Sequence, residues 1–130
     1  MKNKPEELLQ KSIMQYHEWV KNTLPKKTDL KSNRNESGKS GIAGIIAGKH
    51  YNEMGRKKGE PDLELLIEGG KVIFIELKTK DRCITKTGKE TKSQGLSQEQ
   101  IDRHKTLRSL GFEVHLIYEL EQFIELLKNI

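Results

Sequence analysis

The sequence predicts an α/β fold, a mixed central sheet flanked by helices, and three observations predict it. Segments with helical spacing stand at both ends of the chain and near residue 100. Two apolar runs rich in β-formers meet at a Gly-Gly turn. A further strand-like run, "FEVHLIY", follows the helix that Gly111 closes. A chain that passes from helix to hairpin to helix to strand to helix buries its apolar faces by layering helices on a sheet. At 130 residues it fits one domain, residues 1–130.

Each element has its own signal. Residues 5–21 read as a helix: Pro5 suits the first turn, Glu6 and Glu7 suit the positive end of the helix dipole, and Leu9, Ile13, Tyr16 and Val20 recur on one face. Residues 22–40 are polar and basic and read as a loop or arm. The Gly-rich apolar stretch "GIAGIIAGKHYNEM", from Gly41, is the candidate for a first core strand. Leu63 to Glu68 alternates loosely, "EGGK" makes a tight hairpin turn, and "VIFIEL", Val72 to Leu77, is a buried strand by its β-branched and aromatic content. Residues 80–96 read as a long polar loop. In "LSQEQIDRHKTLRSLG", Ser97 caps a helix, Gln100 closes the capping box and Gly111 ends it. Leu120, Phe123, Ile124 and Leu127 define a last amphipathic helix.

Composition narrows the function. Charged residues make up 33% of the chain, above the ~25% of an average soluble protein. Lys and Arg outnumber Asp and Glu by 24 to 19, for a net charge of +5. That balance favours a polyanionic partner such as nucleic acid. The single cysteine, Cys83, excludes an internal disulfide and a Cys-based zinc site. The reading is an intracellular, cytoplasmic protein with no signal core at its N-terminus and no membrane span.

The chemistry concentrates in "GEPDLELLIEGGKVIFIELKTK", Gly59 to Lys80. With a strand period of two, Val72, Phe74, Glu76 and Lys78 share one face. The hairpin can bring Asp62 alongside Glu76 and Lys78. Two carboxylates so placed repel each other unless a cation lies between them. Mg²⁺ is commonly held by one or two carboxylates plus waters and phosphate oxygens, and a neighbouring lysine can orient an attacking water and stabilise developing charge. The set suits phosphodiester hydrolysis. By contrast, "ESGKSG" is no phosphate loop, because Asn33 stands where the first glycine is required. Gln100, His104 and Leu107 fall on one helix face, which makes His104 either a neighbour of the site or, as the favoured reading, a satisfied, partly buried histidine.

"GRKKGEPDLELLI", "VIFIELKT" and "GLSQEQ" resemble the VRR-NUC domain, a branch of the PD-(D/E)xK nuclease superfamily, over roughly residues 5–118. The resemblance implies a restriction-endonuclease-like core. It implies that Asp62 and Glu76 are metal ligands with the Leu77 carbonyl as a third, that Lys78 is the catalytic lysine, and that Gln100 faces the site. Glu6, in "EELLQ", is similar to the glutamate of the family's N-terminal helix, which approaches the metal. The cofactor implied is Mg²⁺ or Mn²⁺. Stand-alone members, phage or bacterial, look like dimeric enzymes on branched DNA such as Holliday junctions; flap or nicking nucleases and a non-catalytic DNA-binding module are the alternatives. Lys39, Arg56, Lys57, Lys58, Lys80, Lys86 and Lys89 are expected to meet the phosphate backbone, which gives affinity without sequence reading.

Overall fold

The computed structural model describes residues 5–33, 46, 53–55 and 57–130. Helix α1 spans Pro5–Val20 and carries Glu6 and Glu7 in its first turn, with Ile13 and His17 buried. A 3₁₀ turn, Lys21–Thr23, leads out of it. The strands are β1 (Thr28–Ser32), β2 (Leu63–Ile67), β3 (Lys71–Leu77) and β4 (Glu113–Ile117), and the helices after the hairpin are α2 (Lys80–Cys83), α3 (Gln98–Ser109) and α4 (Leu120–Lys128). No helix among the described residues is long and apolar enough to cross a membrane.

The sheet is mixed and four-stranded in the order β1-β2-β3-β4. β1 pairs antiparallel with β2 and β2 antiparallel with β3, while β4 lies parallel to β3. The β2–β3 hairpin closes through Gly69 and Gly70, whose φ of 98° and 88° no β-branched residue would adopt cheaply. A parallel pair cannot be joined by a tight turn; the crossover from β3 to β4 contains α2 and α3.

β2 alternates strictly, with Leu63, Leu65 and Ile67 buried. These residues join Leu30, Ile73, Ile75, Leu77 and Ile117 in one core with Ile13 of α1 and Phe123, Leu126 and Leu127 of α4. The opposite face carries a smaller cluster, Phe74 and Val114 against Leu107 of α3, with Val72 at its border. Full burial of one such side chain contributes about 1.5–3 kcal/mol, so the larger core holds α1 and α4 firmly. The face under α3 is the one on which Glu76 and Lys78 project.

Two expectations are corrected. The segment read as a loop, residues 22–40, supplies edge strand β1 at Thr28–Ser32, paired from Thr28↔Ile67 to Ser32↔Leu63. Only Leu30 in it is buried, so it has almost no apolar pattern of its own and forms because β2 offers a ladder. The stretch from Gly41, expected as the first strand, lies for the most part outside the described residues. Residues 80–96 are also not a plain loop: Lys80–Cys83 is a helical turn with Cys83 fully buried, and Ile84 bridges Glu90 antiparallel.

Candidate active site

The β2–β3 register sets Leu63 opposite Ile75. One residue further along the same ladder, Asp62 falls opposite Glu76, and side chains opposite each other share a face. The two carboxyl groups are hydrogen-bonded to each other. Asp62 also accepts the Leu77 amide through Oδ2 at 2.8 Å, so its carboxylate is tied to the strand that carries its partner. The next position in this register pairs Leu77 with Pro61, which has no N–H to donate to the Leu77 carbonyl. The Pro-Asp dipeptide thus aims a carboxylate at Glu76 while withholding a strand hydrogen bond from the carbonyl beside it.

Glu76 is 1% exposed and Lys78, two residues on along the same face, is 8% exposed. Burial, the hydrogen-bonded Asp62 and its charge push Glu76 up to about 10; Lys78 acts in the opposite direction and Glu6 adds to the rise. Out of water and beside Asp62, Glu76 keeps its proton at neutral pH. His104, on α3, completes the enclosure, 3% exposed, with Nε2 3.0 Å from Glu76 Oε1. Burial pushes His104 down to about 4, helped by the charges of Arg108 and Lys78 against that of Asp62. The contact is therefore a hydrogen bond between the Glu76 carboxyl group and a neutral imidazole, not an ion pair.

The donor set fits a divalent cation. The proton that buried Glu76 keeps beside the Asp62 carboxyl group marks a place where positive charge is wanted, and Asp62, Glu76 and the Leu77 carbonyl are oxygen donors of the type that hold Mg²⁺ or Mn²⁺. Among the described residues no three His, Cys, Asp or Glu side chains form a cluster able to hold a metal by themselves. The protein thus offers a partial shell, the mode in which Mg²⁺ keeps positions for water and phosphate oxygens. Glu6 lies within electrostatic reach of Glu76 without closing a three-carboxylate cage.

Beside Asp62 opens a groove of about 850 Å³, whose walls mix Lys57, Lys58 and Arg103 with Glu60, Glu64 and Glu99. Arg103 donates to Glu60 at 2.8 Å. The other expected residues are placed differently. Gln100 turns back on its own helix: its Oε1 accepts the Ser97 amide at 2.9 Å while Ser97 Oγ accepts the Gln100 amide at 3.2 Å. Lys80 pairs with Glu119 at 2.5 Å. Lys86 and Lys89 are exposed on the segment closed by the Ile84–Glu90 bridge. Lys39 and Arg56 lie outside the described residues. Arg103 was not singled out in the sequence, although it stands three residues after Gln100 on the helix that covers the site.

No family model matches the sequence, and none of the curated proteins does. A solved structure described as a VRR_NUC domain is similar over 97% of this chain and 97% of its own, with a TM-score of 0.58 at 19% sequence identity. At that identity the likeness is one of fold, and it extends through all the elements that frame Asp62, Glu76 and Lys78. The chain has the mixed α/β fold of a structure described as a VRR_NUC domain.

Proposed function

We propose that residues 1–130 form one metal-dependent DNA endonuclease domain that hydrolyses phosphodiester bonds. The observation that carries this reading is the Asp62–Glu76 carboxyl pair, with Glu76 buried and Lys78 on the same strand face, beside a groove whose walls carry Lys57, Lys58 and Arg103 among acidic residues. Asp62, Glu76 and the Leu77 carbonyl are the ligands, with Glu6 close enough to bear on the charge. When bound, Mg²⁺ or Mn²⁺ would polarise the phosphoryl group and ease deprotonation of water.

The chain's own groups do the rest. Lys78, held at the end of β3, orients the attacking water and offsets negative charge that builds on the phosphate. Lys57, Lys58 and Arg103 seat the neighbouring phosphates in the groove, and their contacts are blind to sequence. Water attacks phosphorus in line, its oxygen forms the new P–O bond, and the bond to the 3′ oxygen breaks. Buried walls around Glu76 keep these charges strong by excluding bulk water. The likeness to the family extends the proposal to branched DNA, cut by a homodimer whose two-fold axis would match that of a four-way junction.

The test is cleavage of labelled four-way junction, flap and plain duplex DNA with Mn²⁺ or Mg²⁺, wild type beside Lys78→Ala. Wild type is expected to make paired cuts in the junction, and Lys78→Ala to cut at least ~100-fold more slowly while still binding DNA. Cuts confined to flap or duplex would keep the nuclease and discard the junction. A Lys78→Ala rate near wild type would show that Lys78 has no part in the chemistry.

A further inference from the structure

We propose that His104 is a positioning residue of this site: its Nε2–H holds one oxygen of the Glu76 carboxylate, so that the carboxylate keeps a single orientation and presents its other oxygen to the cation. The inference rests on the metal-site reading above and deepens it. Nothing about the pair is local, since Glu76 lies on β3 and His104 on α3, 28 residues apart, with Nε2 and Oε1 at 3.0 Å and both side chains buried. A carboxylate that binds a metal is ionised and can only accept, so the imidazole nitrogen facing it is the donor. Groups that hold a metal-binding side chain in this way typically tune affinity through orientation rather than direct contact.

The surroundings of His104 are built for rigidity. The ring sits one turn before Leu107, which packs on Phe74 and Val114 of the sheet. Upstream, α3 begins in a capping box at Ser97 and Gln100. Its first turn lies so close to Gly59 that a Cβ there would stand 2.4 Å from the Glu99 carbonyl oxygen. Arg103 bonds Glu60 on the same approach. The segment that delivers Asp62 and the helix that delivers His104 are thereby fastened to each other, and Glu76 is gripped from both sides.

Calorimetric titration with Mn²⁺ alone tests the role, using His104→Gln, His104→Asn and Glu76→Gln, each checked for folding by thermal unfolding in EDTA. The amide nitrogen of Gln reaches the place of Nε2, and that of Asn stops short at the place of Nδ1. The expected result is that His104→Asn weakens Mn²⁺ binding by roughly 10–100-fold and His104→Gln restores most of it. Wild-type affinity in His104→Asn, or an equal loss in both variants, would overturn the positioning role. Loss in Glu76→Gln with no loss in His104→Asn would overturn this inference alone. An unchanged Glu76→Gln titration would overturn the metal site and the inference together.

Discussion

Glu76 shows what a buried carboxyl group costs a small core. It is buried beside a second carboxyl group and a neutral imidazole, and burial first, then the hydrogen bond to Asp62 and its charge, push it up to about 10. A folded-state pKa above the unfolded value means that its contribution is fully present below about 4.5 and is lost as pH rises toward the folded value. In EDTA at pH 7.5, Glu76→Gln is therefore expected to raise the unfolding midpoint by several degrees, because a neutral amide fills the same space and still bonds His104 and Asp62. The same substitution should remove the midpoint rise that Mn²⁺ gives the wild type. A midpoint in EDTA equal to or below wild type would mean that Glu76 is not held at such a cost. The acidic pair and Lys78 were legible from the strand period and the Pro-Asp turn, because period two assigns faces without tertiary knowledge. The His104 bond was not fully legible: helix spacing allowed His104 at the border of the site without favouring it, and only the crossover geometry brings its ring to Glu76. Gln100 was legible twice over, as cap and as site residue, and its carbonyl oxygen serves the cap.

At the scale of elements, the approach of the Gly59–Pro61 segment to α3 decides whether the site assembles. Gly59 has a φ of +75° and no room for a Cβ against the Glu99 carbonyl and the Gln100 amide, whereas Gly69 has a φ of +98° and open space around it. Gly69→Ala is expected to show only the cost of a strained backbone, about 1–3 kcal/mol. Gly59→Ala adds a collision with helix backbone and should cost more in denaturant unfolding, and it should also weaken Mn²⁺ binding by shifting α3. Equal unfolding losses in the two variants would refute the close approach. The elements that the sequence predicted well, β2, β3, α1, α3 and α4, all have dense apolar patterns or visible caps. β1 has one buried residue in five, Leu30, and owes its conformation to the ladder that β2 supplies. A partner some 35 residues away leaves no local mark on "TDLKS". α2 escaped notice for a related reason: its single buried residue, Cys83, sits in a polar stretch, and its burial depends on the chain folding back through Thr91 to Gln94, whose backbone meets it.

Among the described residues two buried histidines stand against one buried glutamate, and their opposition has a measurable consequence for the molecule as a whole. His17 joins α1 to β1 through a 2.8 Å bond to Thr28 Oγ1 and is lowered from 6.5 chiefly by burial. His104 is lowered in the same direction for the same leading reason. A depressed folded pKa on a histidine gives stability that is present above about 6.5 and is lost as pH falls toward the folded value. Glu76 runs the other way, losing stability as pH rises above about 4.5. Between those two values the gain from His104 offsets the loss from Glu76, and His17 adds its own gain as pH approaches 6.5, so net stability from these sites rises toward that value. Above 6.5 the histidines have nothing more to give and Glu76 continues to lose. Unfolding in EDTA should therefore be hardest near pH 6.5 and easier on both sides. On the proposed metal-site reading, saturating Mn²⁺ displaces the proton on Glu76, so it should flatten the alkaline side while leaving the acid side in place. Denaturant midpoints measured from pH 5 to 9, with EDTA and then with Mn²⁺, would check this. An alkaline decline that Mn²⁺ does not reduce would place its origin outside the Asp62–Glu76 pair, and a missing acid decline would show that His17 and His104 are protonated in the fold at no cost.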